Sequence, residues 1–301
     1  MKKLKILAVS DIHVDINNAG SYDDGTHQVK FLDKFDEILG QITGVDLVVC
    51  AGDISPSVTQ LQHTLDFITK SIESAYYVFV PGNHDIWELD QQLWEGITKE
   101  KYEIVLRESV NQTEFQYLPS QPLVIEDKFA LIGNIGWYDY SFRNPKWDDR
   151  IKEDKTWYYG KRWGGYAWND VNFTDWGMHD LDVTKYLMNQ LKEDYQKIKE
   201  IPYRMVVMHH IPFIEGVIYK DSLPWDFFSA FMGAACFGEF LQEWNIDLVI
   251  HGHTHYPSTY RVGSCRVYCI PIGYPNEWKK SKDIAGELME RIKVFEFPCD
   301  E

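Results

Sequence analysis

The chain has 301 residues, of which 45% are hydrophobic and 25% charged, with 20 Gly and 12 Pro. This composition is typical of a globular protein with a large core, and it excludes disordered and fibrous classes. The length is about twice the ~150 residues typical of one domain, but no linker-like stretch divides the sequence. We therefore expect residues 1–301 to form a single domain that carries insertions.

The charge balance restricts the possible ligands. The chain has 30 Lys and Arg against 46 Asp and Glu, a formal net charge of −16. Such a field repels polyanions, which argues against non-specific nucleic-acid binding, and a phosphorylated ligand would need a strong local positive centre. No apolar run approaches the roughly 20 residues that cross a bilayer, and the first apolar stretch is too short for a signal peptide. We therefore expect a cytoplasmic protein without a membrane partner.

Cysteine usage does not indicate a disulfide framework or a zinc knuckle. The five cysteines are odd in number and include no C-x-x-C pair: Cys50, Cys236, Cys265, Cys269 and Cys299. Buried free thiols are the expected state. Cys265 and Cys269 are four residues apart in a strand pattern, so we expect them on one face of that strand.

Short apolar runs bounded by turn residues recur along the chain and are typical of buried strands. They cover residues 4–9, 46–50, 76–80, 204–208 and 247–250. Apolar residues at steps of three or four predict helices over 32–42, 58–72 and 187–198. Strands that alternate with helices favour an α/β core with parallel pairing. Further runs at 123–126, 129–133, 259–262, 266–270 and 291–297 are typical of hairpins or meanders, so we expect two sheets.

Side chains that bind metal ions follow the predicted core strands. They are Asp11 and His13 after the first strand, Asp53 after the second, Asn83, His84 and Asp85 after the third, His209 and His210 after the fourth, and His251, His253 and His255 after the fifth. Ligands of open α/β sheets bind at the carboxyl ends of the strands, so we expect these residues to meet in one place. Any one of them alone would be an ordinary turn or packing residue.

The chemistry of this set favours two metal ions. Imidazole, carboxylate and amide oxygen suit Mn, Fe, Zn, Co or Ni rather than copper. Two Asp, one Asn and four His exceed the needs of one ion, and they suffice for two ions about 3.5–4 Å apart if one carboxylate bridges them. Two divalent ions with two carboxylates and a hydroxide leave a net charge of about +1, which is the positive centre that a phosphorylated ligand needs.

The ordered motifs resemble those of the calcineurin-like metallophosphoesterase superfamily. They are D-x-H at 11–13, GD at 52–53, GNHD at 82–85, the His pair at 209–210 and GHTH at 252–255, with an echo in IGYP at 272–275. The resemblance implies a four-layer α/β/β/α sandwich with two mixed sheets and a metal site at the C-terminal ends of the core strands. It also implies hydrolysis of phosphomonoester or phosphodiester bonds by a metal-bridging hydroxide that attacks phosphorus in line.

The same resemblance implies roles for individual residues. One metal would be held by Asp11, His13, Asp53 and His255, and the other by Asp53, Asn83, His209 and His253, with Asp53 bridging and Mn the metal expected in vitro. His84 would lie over the scissile phosphate and stabilise charge or protonate the leaving oxygen, and Asp85 would orient it. His210 is an alternative to His209 as ligand, whereas His251 is expected to pack beside the site.

Several alternatives stay open. Ile-Ser-Pro-Ser at 54–57 replaces the V-D-R-G of serine/threonine protein phosphatases, and Asp85 replaces their Glu, which disfavours that activity. A catalytically weak metal-binding scaffold for protein partners is one alternative, although all seven ligand positions are filled. A nuclease is another, and the net charge weakens it. The expected partner is a small phosphorylated substrate, with nucleotide-like molecules among the candidates.

Residues 137–180 differ in composition from the rest of the chain. They hold six of the eleven tryptophans, namely Trp137, Trp147, Trp157, Trp163, Trp168 and Trp176. We interpret this Trp-rich stretch as an insertion over one edge of the core. Its rings could stack on a base or sugar as a substrate lid, with Arg143, Lys146, Arg150, Lys161 or Arg162 free to bind further phosphates. Alternatively, the indoles form a compact core or a dimer contact.

Overall fold

A computed structural model of the chain describes residues 3–23, 28–89, 97–152, 158–279 and 283–298. Two large mixed sheets face each other, and helices pack on their outer faces, so the layers follow the order α/β/β/α. This architecture confirms the fold class predicted from the sequence. None of the helices in these ranges combines the length and apolarity that a membrane crossing requires.

The described strands, in chain order, are β1 (Leu4–Val9), β2 (Tyr22–Asp23), β3 (Gln28–Val29), β4 (Leu47–Cys50), β5 (Tyr76–Phe79), β6 (Gln116–Tyr117), β7 (Leu123–Ile125), β8 (Phe129–Asn134), β9 (Arg162–Trp163), β10 (Tyr166–Ala167), β11 (Tyr203–Met208), β12 (Leu248–His251), β13 (Ser258–Val262), β14 (Cys265–Cys269) and β15 (Lys293–Phe297). The α-helices are α1 (Val14–Asn17), α2 (Phe31–Leu39), α3 (Val58–Ser71), α4 (Thr98–Glu100), α5 (Leu106–Val110), α6 (Asp148–Lys152), α7 (Asp170–Phe173), α8 (Asp180–Ile198), α9 (Trp225–Phe228), α10 (Ala235–Glu243) and α11 (Ile284–Arg291). A π-helical turn, Lys101–Val105, joins α4 to α5.

The first sheet has the strand order β15-β1-β4-β5-β6, and the second has the order β13-β14-β12-β11-β8-β7. Strands β1, β4, β5 and β6 run parallel to one another, as do β8, β11, β12 and β14. Strands β15, β7 and β13 pair antiparallel at the edges. Parallel strands end at the same edge of a sheet, so the loops after β1, β4 and β5 lie side by side.

The side chains of β1 show how the two sheets are packed. Leu4, Ile6 and Ala8 are buried between the sheets, whereas Leu7 and Val9 pack in the core under the helices. Side chains alternate between the two faces of a strand, and both faces are covered here, so the strand is a continuous apolar run. The same reason explains why this strand could be predicted from the sequence with its observed bounds.

Most predicted elements, including the strand over 291–297, agree with the observed ones to within a few residues. Arg291, expected at the start of the strand 291–297, is the last residue of α11, and β15 begins at Lys293. Helices α10 and α11 had no counterpart among the predicted helices. The helix predicted over 187–198 is the second half of the longer α8.

The described cysteines are free, as the sequence predicted. Cys50, Cys265 and Cys269 are buried, and Cys236 is half-buried. Cys265 and Cys269 lie at the two ends of β14, four residues apart and therefore on one face of the strand. Cys299 lies outside the described residues.

Candidate metal centre

The seven predicted ligands lie on loops at the carboxyl ends of the strands. Asp11 and His13 follow β1, Asp53 follows β4, Asn83 follows β5, His209 follows β11, and His253 and His255 follow β12. Backbone hydrogen bonds hold the two sheets together at this edge, since Ser10 N donates to Ile270 O at 3.1 Å and Ile272 N donates to Ser10 O at 2.8 Å. Loops from both sheets therefore meet at one site.

The first cluster consists of Asp11, His13, Asp53 and His255. His255 Nε2 lies 3.3 Å from Asp11 Oδ1 and 3.1 Å from His13 Nε2. His13 Nε2 lies 3.7 Å from Asp53 Oδ2. His13 and the two aspartates are almost completely buried, so the polar atoms that face one another are shielded from water.

The second cluster consists of Asp53, Asn83, His209 and His253. His209 Nε2 lies 3.4 Å from Asp53 Oδ2, 3.2 Å from Asn83 Oδ1 and 3.2 Å from His253 Nδ1. The same oxygen of Asp53 faces His13 in the first cluster. Asp53 Oδ2 is thus the atom common to both clusters, which is the position that a bridging carboxylate needs.

The hydrogen bonds behind the second cluster define which histidine nitrogen points into it. His209 Nδ1 lies 2.9 Å from Ala51 O, and His253 Nε2 lies 3.2 Å from Phe231 O. Each of these nitrogens must donate to its carbonyl, which leaves His209 Nε2 and His253 Nδ1 with lone pairs. Four acceptor atoms therefore face one another: Asp53 Oδ2, Asn83 Oδ1, His209 Nε2 and His253 Nδ1. Only an added proton or cation can lie favourably between them.

The spacing of these acceptors fits a metal ion. Ligand atoms bound at about 2.0–2.2 Å with tetrahedral or octahedral angles lie about 2.8–3.6 Å from each other. Most of the measured separations in both clusters fall in that interval, and the longest is 3.7 Å. The donor set therefore fits two adjoining cation sites, and the binding of metal by these seven residues stays a prediction.

The acid–base properties of the clusters also indicate a cation site. Burial has the largest effect on Asp53 and would raise its pKa, but the charges of His209 and His84 outweigh it and hold the pKa well below the usual range. Burial would lower the pKa of His209, yet Asp53 raises it to about 9. For His255, hydrogen bonds to Asp11 and Glu277 overcome burial and raise the pKa to about 10.

The other two histidines of the clusters have the opposite tendency. Burial, followed by the charge of His84, holds the pKa of His13 well below its usual value, and burial with the charge of His210 does the same for His253. These rings are neutral and ready to bind a cation. Metal binding would displace the protons that the carboxylates hold on the remaining two histidines.

Two glycines allow the ligand loops to approach each other. A Cβ atom on Gly82 would lie 2.1 Å from Asp53 Oδ1, and one on Gly252 would lie 2.3 Å from Asp11 Oδ2. No side chain fits in either space, so the GNHD and GHTH motifs need glycine as their first residue.

His84 lies beside both clusters rather than inside them. Its backbone N–H donates to Asp53 Oδ1 at 2.8 Å, its ring stacks on Trp87 with centroids 3.6 Å apart, and Nε2 lies 3.5 Å from the Tyr274 hydroxyl. Burial lowers the pKa of the ring against the charges of Asp53 and Asp170. The ring lines the cavity described below, which is where a group that acts on a substrate must lie.

Asp85 differs from its expected role. Its carboxylate accepts backbone N–H groups of Asp53, Ile54, Ser55 and Gly82 at 2.8–3.0 Å, and no hydrogen bond between it and the His84 ring is found. Asp85 therefore fixes the loop that carries Asp53 instead of orienting His84. Burial, followed by the charge of Asp53, raises the pKa of Asp85 to about 7.

The two remaining histidines lie outside the clusters. His210 Nδ1 lies 3.1 Å from Ile135 O, and burial with the charge of His209 lowers its pKa to about 3. The His210 ring packs against the His253 ring with centroids 4.2 Å apart. Of the pair, His209 is the one whose ring nitrogen Nε2 lies within 3.4 Å of polar atoms of Asp53, Asn83 and His253. His251 is the last residue of β12, and its Nε2 lies 3.1 Å from the hydroxyl of Tyr260 in β13, in agreement with the expected packing role.

A cavity of about 350 Å³ adjoins the two clusters. Its polar lining includes Asp53, Asn83, His84, His253 and His255. Its apolar lining includes Trp87, Trp168, Ile218, Trp225, Phe228 and Met232. None of the described residues that line it is Lys or Arg, so the positive charge for a phosphoryl group would have to come from the metal centre.

The Trp-rich stretch contributes both to the core and to the cavity. Trp137, Tyr138 and Trp176 are buried in the core, whereas Trp168 lines the cavity. Trp157 lies outside the described residues.

The five basic residues expected to bind further phosphates contact other groups, and none of them is among the described residues that line the cavity. Lys161 pairs with Asp180, Arg143 with Asp148 and Lys146 with Asp221. Arg162 donates to Asn172, and Arg150 lies over the Trp163 ring. The expectation that they bind further phosphates of a substrate is therefore not supported by their positions.

Sequence reasoning missed three side chains of the site. Asp170 accepts a hydrogen bond from Asn83 Nδ2 at 2.9 Å, Glu277 Oε2 lies 2.7 Å from His255 Nδ1, and Tyr274 contacts His84. The IGYP echo was the signal that could have indicated Tyr274. A single Asp and a single Glu far along the chain carry no such pattern.

Comparison with known proteins defines the class. A family model of calcineurin-like phosphoesterases matches residues 4–257, so the chain belongs to that family and is a phosphoric ester hydrolase. Enzymes of this family use divalent metal ions, and the Asp and His residues described above are positioned to bind them.

Individual relatives refine this comparison. The acyl-carrier-protein phosphodiesterase PptH of Mycobacterium tuberculosis is 22% identical over 251 residues, which are 79% of this chain and 72% of that protein. The crystal structure of phosphopantetheinyl hydrolase PptH from the same organism has a TM-score of 0.70 and 16% identity, and the match covers 99% of this chain and 97% of that one. The structure of TT1561 of Thermus thermophilus has a TM-score of 0.52 and 13% identity, with 98% of each chain covered.

Proposed function

We propose that the chain is a binuclear metal phosphodiesterase whose substrate carries an uncharged arm on one side of the phosphate. The observation that carries the proposal is the pair of ligand clusters that share Asp53 Oδ2 beside an aromatic cavity. Divalent ions bound there would supply Lewis-acid charge to the phosphoryl oxygens and lower the pKa of water.

The protein's own groups would orient the substrate and supply a proton. His84 lies at the cavity, outside the ligand clusters, so its ring can reach a substrate oxygen and donate to the departing alcohol. The Tyr274 hydroxyl, 3.5 Å from His84 Nε2, limits rotation of that ring. Asp85 keeps the Asp53 loop in place through its backbone hydrogen bonds.

The lining of the cavity supports an uncharged arm. Trp168, Trp225 and Phe228 offer flat apolar surfaces, and no Lys or Arg is among the described lining residues. Lys220 lies beside these walls, but its Nζ is placed over the Trp225 ring and donates to the Tyr256 hydroxyl, so none of the described lining residues offers a cation to a second or third phosphate, which disfavours nucleoside polyphosphates. A chain of methylene and amide groups can bury apolar surface against such walls.

A hydrolysis panel with Mn-loaded protein tests the proposal. Bis(p-nitrophenyl) phosphate should be cleaved faster than p-nitrophenyl phosphate or ATP, because only the diester carries, besides the leaving nitrophenolate, a second uncharged group on phosphorus that the cavity can hold. Asp53→Asn serves as the inactive control, since it removes the charge shared by the two clusters. No metal-dependent hydrolysis of any of these compounds would contradict the proposal and favour the scaffold alternative.

The named activity of the relative adds a second candidate within the same class, the release of the phosphopantetheine arm from acyl carrier protein. The aromatic cavity next to the metal ligands favours it, since such an arm is long and uncharged beyond its phosphate. Incubation of Mn-loaded protein with holo-acyl carrier protein, followed by mass spectrometry of the intact carrier, measures it. Cleavage of the aryl diester without any loss of the arm would exclude this substrate while leaving the phosphodiesterase proposal in place.

A further inference from the structure

Asp170 lies at the centre of a hydrogen-bond network that the predicted metal ligands do not account for. It is the first residue of α7, and its side chain is fully buried. Asn83 Nδ2 and Trp87 Nε1 donate to Oδ1 at 2.9 and 2.7 Å. Trp168 Nε1 and the Tyr138 hydroxyl donate to Oδ2 at 2.7 and 3.0 Å. One buried carboxylate thus accepts four side-chain hydrogen bonds.

The contact with Asn83 selects the atom of that amide that faces the second cluster. An amide side chain has an oxygen and an NH₂ group in nearly the same shape, and only the oxygen has a lone pair for a cation. Because Asp170 holds Nδ2, the Oδ1 atom points to His209 Nε2 at 3.2 Å. A flipped amide would set its oxygen against the carboxylate, acceptor to acceptor, and would turn its NH₂ group toward the cluster.

The two indoles extend the influence of Asp170 to two more side chains. Trp87 stacks on the His84 ring with centroids 3.6 Å apart, and Trp168 meets the His253 ring edge-on at 5.6 Å. An indole whose N–H donates to a carboxylate loses rotational freedom, and this applies to the buried Trp87 and to the half-buried Trp168. The rings of His84 and His253 therefore pack against surfaces that Asp170 keeps in place.

We propose that Asp170 is a positioning residue of the metal centre, which orients Asn83 directly and His84 and His253 through the two indoles. This inference rests on the proposed binuclear function, because it treats Asn83 and His253 as ligands of the second metal. It also assigns a role to the Trp-rich stretch, which supplies both the carboxylate and Trp168.

A carboxylate is needed at this position because it only accepts hydrogen bonds and offers about four lone-pair positions. Asparagine has nearly the same size, but its NH₂ group would face at least one of the four donors. Asp170→Asn therefore tests the hydrogen bonding without opening a cavity.

Mn²⁺ binding to metal-free protein, followed by electron paramagnetic resonance of the free ion, measures both sites without relying on activity. The wild-type chain should bind two ions. Asp170→Asn should retain the affinity of the site that contains Asp11 and His13, and should bind 10–100-fold more weakly at the site that contains Asn83, which is the range typical of lost supporting hydrogen bonds.

Asp180 provides a matched control in the same stretch. It is a second buried carboxylate, which accepts hydrogen bonds from Trp137 Nε1 at 2.8 Å and Lys161 Nζ at 2.9 Å, and none of its hydrogen bonds involves a predicted ligand. Asp180→Asn should lower the stability of the fold and leave both Mn²⁺ affinities unchanged.

A reciprocal exchange keeps the test valid if the single variant does not fold. In Asn83→Asp/Asp170→Asn the amide at 170 can donate to the carboxylate at 83, which retains one oxygen for the metal. This double variant should bind the second ion more tightly than Asp170→Asn alone, or should fold where the single variant does not.

The possible failures are distinguishable. A wild-type chain that binds no Mn²⁺ would overturn the proposed function itself. Four results would overturn the positioning role and leave the proposed function standing. Asp170→Asn could bind both ions with wild-type affinity, or lose the same affinity at both sites. Asp180→Asn could show the same selective loss as Asp170→Asn, or the reciprocal double variant could show no improvement over Asp170→Asn.

Discussion

Five of the seven predicted ligands have a backbone conformation that L-residues seldom adopt. Asp11, His13, Asp53, His253 and His255 have φ angles between 41° and 73°. Each such residue costs of order 1–3 kcal/mol, and residues of this kind cluster at functional sites. The surrounding hydrogen bonds must therefore hold these residues in a strained conformation, in which their side chains point toward the clusters.

Asp53 should matter more for metal binding than any other single ligand. Its Oδ2 atom faces both clusters and its charge acts on both, whereas Asn83 offers one neutral oxygen to one cluster. Asp53→Asn should lose both ions, and Asn83→Ala should lose one. Elemental analysis of Mn-reconstituted protein measures the difference. Equal metal content in the two variants would contradict the bridging role.

His84 should affect turnover and leave metal content intact, since its ring lies beside the clusters. A positioned general acid contributes about 10²–10⁴-fold, and less when the leaving group is a weak base. His84→Ala should therefore lose much more activity toward an alkyl ester than toward a nitrophenyl ester, in steady-state assays with both substrates. His63 is an exposed histidine of α3, so His63→Ala serves as the control and should leave the activity toward both esters unchanged. A defect that is the same for both esters would leave His84 only a general electrostatic role.

At the scale of elements, the sequence predicted long buried strands well and short helices poorly. Strand β1 is an unbroken apolar run because both of its faces are covered, and that signal lies within six residues. Helix α11 has only eight residues, and Arg291 at its end leads directly into β15. Helix α10 contains Gly238, where a Cβ would lie 2.4 Å from Pro212 O, so a contact between distant segments determines that residue.

The turn between α4 and α5 contains a buried lysine that connects two site loops. Lys101 Nζ donates to Pro56 O and Trp87 O, and burial lowers its pKa to about 8 against the charges of Asp85 and Glu88. The unfolded chain therefore binds more protons at this lysine than the folded chain does above about pH 8. The free energy of unfolding should rise with pH in that range because of this group.

Lys101→Met removes this pH dependence. Between pH 8 and 10, the wild-type chain should gain about 1–2 kcal/mol of stability relative to the variant, as measured by urea unfolding at both pH values. Lys185→Met, at an exposed position of α8, should follow the wild type. Parallel pH profiles of the wild type and Lys101→Met would show that burial does not perturb this lysine.

Helix α11 supports the segment that carries Tyr274 and Glu277. Arg291 donates to Glu287 Oε1 at 2.6 Å, to Ile272 O at 2.9 Å and to Glu277 O at 3.3 Å. Arg291→Met would remove the guanidinium that pairs with the buried Glu287, and removal of one partner of such a pair costs about 3–5 kcal/mol. Urea unfolding should show this loss, and Glu287→Gln/Arg291→Met should lose less because it removes both charges of the pair. Equal losses would contradict the pairing.

At the scale of the whole molecule, the site depends on contacts that no local pattern contains. The ligand motifs could be predicted because each follows a strand and parallel strands end at one edge. Asp170 could not be predicted as part of the site, because it is 87 positions from Asn83 and lies in a stretch that the sequence distinguishes only by its tryptophans. The orientation of the Asn83 amide depends on that distant partner, and it becomes visible only when the chain is folded.

The net charge of −16 should affect substrates according to their own charge. The described cavity lining includes Asp53 and Glu277 and has no Lys or Arg, so a polyanion meets repulsion from the whole molecule on its way to the metal centre. Added salt screens such repulsion over about 10 Å at 0.1 M.

An increase in ionic strength from about 0.02 to about 0.3 M shortens the Debye length roughly fourfold. It should therefore lower the inhibition constant of ATP as a competitor, and it should change KM for bis(p-nitrophenyl) phosphate much less. Steady-state kinetics with KCl measure both constants, with Mn²⁺ held at saturation. An inhibition constant for ATP that rises with salt would mean attraction, and the cavity would then have to present positive charge to the additional phosphates.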